Sequence, residues 1–295
     1  MESMSKKNAE STQIARRLGV HTSIAGGVHL SLERAKDLGC NTMQIFSHNP
    51  RQWAVSNIPS STVAAFTKLR GIYNIGPIFV HTSYLINLAS GDAGILGKSI
   101  QLMKRELDLA DVLGVEYVVI HTGSLSEGSG DEGRKRAIAA LREIAIAGTW
   151  KTRLLLENTA GEKGDITSRM ADLAKIINDV KTHLIAGITL DTCHAYAAGY
   201  DIKHVAGLLL LVKEIENHLG LDMVRLIHLN DAKKGLNSRV DRHWHIGEGE
   251  IGMEGLREFI RHPAFRNVPL VLETPKKRKE DDPRNLKIVR SMLQA

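Results

Sequence analysis

The sequence predicts an α/β chain closed into a (β/α)8 TIM barrel, and three observations carry the prediction. Eight short apolar runs are spread along the 295 residues, and after the second they recur at roughly 35–45 residues, the length of one strand–helix unit. The runs are apolar throughout rather than alternating, as expected of parallel strands covered on both faces. Six of them stop at a side chain that can bind a metal, which is where parallel barrels place their active sites.

The first two runs, RLGVHTS at 17–23 and TMQIFSH at 42–48, precede the regular repeat. The third, PIFVHTS at 77–83, ends its apolar stretch at His81. Segment 95–114 then reads as a helix. Ile95, Ile100, Leu102, Met103, Leu107, Leu109 and Leu113 follow a helical pattern, and Gly114 is a residue type favoured just past a helix end. The fourth run, EYVVIHT at 116–122, stops at His121, and the fifth, RLLLENT at 153–159, stops at Glu157. Segment 168–180 has helical spacing through Met170, Leu173, Ile176 and Ile177. The sixth run, AGITLDT at 186–192, stops at Asp191, the seventh, VRLIHLN at 224–230, at His228, and the eighth, VPLVLET at 268–274, at Glu273. The charge run KKRKEDDPR reads as a solvated loop leading into a last helix, LKIVRSMLQA. A doubly wound open sheet is the alternative architecture, but the glycines of GVHTSIAGG lack the GxGxxG spacing of a dinucleotide site.

Composition narrows the class. A hydrophobic content of 43% is ordinary for a soluble enzyme. Cys40 and Cys193 are too few for a disulfide framework and fit a reducing cytoplasm. No apolar stretch approaches the roughly 20 residues needed to cross a bilayer. Residues 1–16 are largely polar and read as a flexible extension rather than a signal peptide, which leaves 17–295 as a single catalytic domain. A formal net charge of +6 suits a polyanionic partner.

Two local motifs add ligand types to the strand ends. DTCH sets His194 just after Asp191, and DRHWH supplies Asp241 and His243 after the seventh strand. Taken singly, each histidine reads as a hydrogen-bonded core residue, and each strand-end acid as a cap for the next helix. Taken together, these imidazoles and carboxylates at one barrel mouth would bury too much unpaired charge without cations. Mixed histidine and carboxylate donors suit zinc, with manganese or iron as substitutes. His48, His183, His245 and His262 lack this placement and read as structural.

Glu157, Asp191, His228 and Glu273 by themselves resemble the metal site of the xylose-isomerase-like barrel superfamily, which contains sugar isomerases and epimerases. The stretches HTSYLINLAS, ITLDTCHAYAAGYDI, LIHLNDAKKGLNSRVDRHWHIGEGEIG and LVLETP extend the resemblance. They resemble endonuclease IV, the metal-dependent apurinic/apyrimidinic endonuclease family, through almost the entire barrel. That resemblance implies three zinc ions: one on His81 and His121, one on Asp191, His228 and Glu273, Glu157 bridging these two, and a third on His194, Asp241 and His243. It implies a catalytic role for Glu157. It also implies cutting of duplex DNA on the 5′ side of abasic sites, to a 3′-hydroxyl and a 5′-deoxyribose phosphate, in base excision repair. Trimming of blocked 3′ ends is a further implied activity, and a monomer is the implied state. Arg51, in NPRQW, and Tyr84, in HTSYLIN, match residues that enter the DNA at the lesion. Asn49 and Trp53 are weaker candidates for the same surface, and Lys233 and Lys234, just past the seventh strand, are candidates for phosphate contacts. Thr189 and His48 stand where the family often has cysteine and lysine; neither is an implied ligand. A sugar-phosphate isomerase or epimerase using the tetrad and fewer metals is the competing reading, and a non-catalytic binder of damaged DNA is a third.

Overall fold

The computed structural model describes residues 16–125 and 128–294. Strands and helices alternate from the start: β1 (Leu18–Val20), α1 (Leu30–Asp37), β2 (Met43–Phe46), α2 (Ser60–Tyr73), β3 (Ile78–His81), α3 (Ala93–Val112), β4 (Tyr117–Ile120), α4 (Gly130–Ala147), β5 (Arg153–Glu157) and α5 (Met170–Val180). After β6 (Ile185–Asp191) come a short α6 (Thr192–Ala197) and α7 (Val205–His218). After β7 (Val224–His228), a hairpin of β8 (Asp231–Ala232) and β9 (His243–Trp244) precedes α8 (Gly252–Arg261), β10 (Leu270–Leu272) and α9 (Asp281–Gln294).

The eight apolar runs supply the eight strands of one parallel sheet, in the order β1-β10-β7-β6-β5-β4-β3-β2. The outer strands β1 and β2 meet where the chain has just left β1, against the middle of β2. Thr22 N–H donates to Gln44 O at 2.7 Å, and His21 bridges Gln44 in parallel register, which closes the barrel. Strand side chains alternate, so each strand has one face inside and one under the helices. Phe79, Val119, Leu155, Ala186, Leu226 and Val271 fill the interior as one buried cluster. Their neighbours, among them Val80, Val118, Leu154, Leu156, Ile227, Leu270 and Leu272, belong to the outer core that the helices cover. Advancing two residues from the interior cluster gives His81, His121, Glu157, His228 and Glu273. The period of two therefore places these five on the inner face, one layer higher, at the C-terminal mouth.

Strand β6 breaks this parity. Ala186 lies in the interior, yet Asp191, an odd number of residues later, also faces the site. In the pairing with β5, Leu154 faces Ile185 and the next residue, Leu155, faces Gly187, so β6 carries an extra residue at Ala186, and Gly187 holds φ +152°. A Cβ at Gly187 would sit 2.1 Å from the Met223 carbonyl oxygen, so the irregularity needs glycine here.

The expected helices at 95–114 and 168–180 are α3 and α5. Asp92 caps α3 by accepting from Ile95 N–H, and Gly114 follows its end with φ +67°. The C-terminal expectation is corrected. Helix α9 begins at Asp281, inside the charge run, because the Asp281 carboxylate accepts from the backbone of Lys277 and Arg278 and Pro283 suits a first turn. Residues 1–15 of the expected extension lie outside the described residues. Arg16, counted with them, is held: its guanidinium donates to the carbonyls of Ile260, Phe265 and Val268. Among the described residues, no helix is long and apolar enough to cross a membrane.

Substituting Gly187→Ala should lower the unfolding free energy by about 2–3 kcal/mol, since an added Cβ forces β6 and β7 apart. Urea unfolding followed by circular dichroism measures it; a wild-type midpoint would contradict the parity argument.

Candidate metal centre

All nine expected ligand residues converge on one mouth of the barrel. Their donor atoms form overlapping sets, each within 4.8 Å: His81, His121 and Glu157; Glu157, Asp191, His228 and Glu273; and His194, Asp241 and His243. Glu157 is fully buried and divides its two oxygens between sets. Oε2 lies 3.2 Å from His81 Nε2 and 3.0 Å from His121 Nε2. Oε1 lies 2.8 Å from His228 Nδ1. Glu273 Oε2 is 3.2 Å from the same His228 nitrogen.

The third set is assembled from α6 and the hairpin. Asp191 does act as a helix cap, as an isolated strand-end acid would: its Oδ1 accepts from His194 N–H at 2.8 Å. That bond turns His194 inward, while Oδ2 faces the tetrad and lies 3.5 Å from His243 Nε2. Pairing of Ala232 with His243 folds the hairpin back over the mouth. The buried Asp231 carboxylate accepts from the backbone of Ala232, Gly247, Gly249, Ile251 and Gly252, which holds the loop after the hairpin. Gly249 lies so close that a Cβ would come within 2.5 Å of Asp231 Oδ1. His194 Nε2 is then 3.2 Å from Asp241 Oδ1 and 3.3 Å from His243 Nε2, and His243 Nε2 is 3.4 Å from that same oxygen.

Three groups beyond the expected nine position them. Asn158 accepts from Asp191 N–H at 2.7 Å, and Asn230 donates to Asp191 Oδ2 at 2.7 Å while accepting from Glu273 N–H. Gln44 reaches across from β2 to His228 and Glu273 at 2.8 and 2.6 Å. Both asparagines stand next to or near a strand-end ligand in ENT and HLND, a signal available in the sequence. His21 was missed as well. It sits at the end of β1 in the same VHTS string as His81, 3.3 Å from Glu273 Oε1.

Electrostatics follow from the crowding. Burial alone would raise the Glu157 carboxyl, but the charges of His228 and His121 hold it well below the usual carboxylate range. Burial alone would lower His228; Glu157 and Glu273 override it and raise the imidazole to about 9. Burial also opposes protonation of His194, yet Asp191 and Asp241 push it well above the ordinary value. Cys193 borders the cluster, but burial, reinforced by Asp191, pushes its thiol far up and keeps it protonated.

The donor set fits a cation. Backbone carbonyls of Thr82, Asn158 and Glu273 face Nδ1 of His81, His194 and His243 at 2.9, 2.9 and 3.2 Å. A carbonyl only accepts, so these Nδ1 atoms carry hydrogen and the Nε2 lone pairs turn into the cluster. Zinc at about 2.0–2.1 Å from its ligands separates tetrahedral neighbours by roughly 3.3 Å, the spacing of the third set.

Around the mouth, a cleft of about 880 Å³ is lined in part by Phe46, Tyr84, Arg242 and Lys276. Tyr84 is 69% exposed and stands edge-on to Phe46 at 5.3 Å, rather than packed away. Arg51, Asn49, Trp53, Lys233 and Lys234 are exposed, with Lys233 over the Trp244 ring at 4.0 Å. The loops bearing Arg51 and Tyr84 share an anchor in buried Glu106 of α3. One carboxylate oxygen accepts from Ser83 N–H at 2.8 Å and faces His48 Nε2 at 3.2 Å. His48 thus has the structural role expected of it.

Comparison with known proteins gives a consistent placement. A family model described as "Xylose isomerase-like TIM barrel" matches residues 32–294. "Probable endonuclease 4" of Methanoculleus marisnigri is 41% identical over 279 residues, covering 94% of this chain and 99% of that protein. The crystal structure of endonuclease IV from Thermus thermophilus superposes with a TM-score of 0.84 at 38% identity, covering 94% of this chain and 99% of the other. A D-tagatose 3-epimerase-like protein superposes at 0.72 with 21% identity over 94% and 97% of the two chains, which shows a shared fold.

Two measurements test this geometry. Carboxylates keep His228 protonated below about 9 in the absence of a cation, so cation uptake at pH 7 should release protons, and affinity should rise with pH up to that value. Calorimetry in two buffers of different ionisation heat reads the release; binding without proton loss would contradict it. Replacing Glu106→Ala should destabilise the protein by about 1–3 kcal/mol through the unpaired Ser83 N–H and His48. Denaturant midpoints compare it with Glu106→Gln, which should lose less.

Proposed function

This chain belongs to the endonuclease IV family, and from that premise we propose a zinc-dependent AP endonuclease that incises duplex DNA on the 5′ side of abasic sites. The observation that carries the reading is the third donor set. Glu157, Asp191, His228 and Glu273 alone would serve a sugar epimerase on the same barrel. His194, Asp241 and His243, at mutual distances of 3.2–3.4 Å, have no place in that chemistry. His81 and His121 would hold one zinc, Asp191, His228 and Glu273 a second with Glu157 shared between them, and this last set a third. Zinc in such surroundings supplies Lewis acidity, polarising phosphoryl oxygens and bringing the pKa of water from about 15.7 to near 7.

The chain's own groups then divide the work. Glu157, held ionised and pointed at both neighbouring sets, is an acceptor-only carboxylate positioned to orient an attacking water. Three dications against four carboxylates leave a positive excess in a recessed site, which favours the added charge of a phosphate transition state. Arg242 and Lys276 line the cleft, and exposed Lys233 and Lys234 flank the hairpin. These cations, with the net charge of +6, attract the DNA backbone. An abasic nucleotide lacks stacking, so turning it out of the duplex costs less than for an intact one. The exposed Tyr84 and Arg51, on loops pinned to one anchor, are placed to fill the gap it leaves. A 3′ end blocked by a sugar fragment is joined to it through the same kind of phosphodiester and would be trimmed in the same site. Cys40 and Cys193 are buried and free, which suits the reducing cytoplasm, and the enzyme is proposed to act there as a monomer.

A labelled duplex carrying one tetrahydrofuran abasic analogue, incubated with wild type and Glu157→Gln, tests the reading. Wild type should make one cut, 5′ to the analogue, and the variant should lose about 10²–10⁴-fold in rate. Metal analysis should find about three zincs per chain. Sugar epimerisation with fewer metals and no incision would overturn the reading in favour of the epimerase.

A further inference from the structure

We propose that Gln44 is a positioning residue of this centre, its side-chain amide setting which nitrogen of His228 and which oxygen of Glu273 are presented for binding. The inference rests on the metal reading above and extends it to a strand that supplies no ligand. Gln44 lies on the inner face of β2 and is fully buried. Its amide has one acceptor atom and two N–H donors, and each meets a group of the site. Oε1 lies 2.8 Å from His228 Nε2. Nε2 donates to Glu273 Oε1 at 2.6 Å and approaches His21 Nδ1 at 3.0 Å.

These contacts determine the protonation pattern. An amide oxygen only accepts, so His228 carries its hydrogen on Nε2. Nδ1, facing Glu157 Oε1 at 2.8 Å, Glu273 Oε2 at 3.2 Å and Asp191 Oδ2 at 3.9 Å, is left as the nitrogen presented for binding. Turning the amide over would set its oxygen against the Glu273 carboxylate and its N–H against the hydrogen of His228 Nε2, two repulsive contacts at once. Only the observed orientation satisfies both partners.

His228 differs from its neighbours in needing such help. His81, His194 and His243 take their tautomer from backbone carbonyls at Nδ1 and offer Nε2. Those carbonyls come with the chain whatever the side chains are. His228 is reversed: it offers Nδ1, and its other nitrogen points across the barrel to one side chain. The same amide takes up Glu273 Oε1, leaving Oε2 toward His228. Loss of Gln44 would therefore release both a tautomer and a carboxylate orientation in one zinc position, and leave the other two as they are.

Gln44→Met keeps the volume and removes the hydrogen bonds. Competition with a chromophoric chelator should show one zinc weakened about 10–100-fold and two retained at wild-type affinity. Long-range ¹H–¹⁵N spectra recorded at about pH 10, where the His228 imidazole is neutral, should report the Nε2–H tautomer in wild type and a mixture in the variant. Gln44→Glu, which keeps the acceptor but not the donor, should preserve the tautomer and still weaken the site. Wild-type affinity at all three positions in Gln44→Met would overturn the proposal. So would a uniform loss at all three with lowered thermal stability, since that marks a packing role alone. Fewer than three zincs in the wild type would count against the metal assignment instead, and the tautomer readout would still decide the role of Gln44.

Discussion

A carboxylate charge buried at the mouth of the barrel is the constraint on which the rest of the structure depends. Glu157 has no access to solvent, and a lone ion there would be strongly disfavoured. Its oxygens are met instead by His81 and His121 on one side and His228 on the other. Those imidazoles come from β3, β4 and β7, so the charge is stable only when the barrel is closed. The requirement works in both directions. The closed barrel brings the donors together, and their crowding calls for a counter-charge that protons meet in part and cations meet better.

Around this centre, rigid backbone does much of the aiming. The apolar interior layer of Phe79, Val119, Leu155, Leu226 and Val271 sets the height from which the ligands rise. Backbone carbonyls fix three imidazole tautomers, and Asp231 gathers the loop after the hairpin through its ring of N–H bonds. Glu106 does the same for the two loops at the opposite rim. Rigidity suits the family's activity on DNA, since a damaged nucleotide must be brought to groups already in place rather than gathered by them.

The strands and their ends were legible because two short-range rules govern them. Continuous apolar runs mark parallel strands with both faces covered, and a polar residue ends each run where the chain leaves the core. The helices at 95–114 and 168–180 were legible for the same local reason. The start of α9 was not, because a dense charge run resembles a loop until the Asp281 carboxylate is seen tying the preceding loop to the first residue of the helix. His21 was passed over although it shares its VHTS string with His81, since the first run did not belong to the regular repeat. Gln44 carried no local sign at all: a glutamine inside an apolar strand becomes informative only when its partner is known.

By itself, the sequence determined the eight barrel strands, the ligand-type residues that end six of them and the placement of His194 three residues after Asp191. Each of these follows from spacing along the chain. Tertiary structure decided which ends face one another. The parity change at Ala186–Gly187 that turns Asp191 inward, the fold of the hairpin that brings Asp241 and His243 to His194, and the reach of Gln44 to His228, 184 residues away, exist only in the closed barrel. The physical reason is that strand alternation fixes a side chain's direction within one strand, whereas closure fixes which strands share an interior.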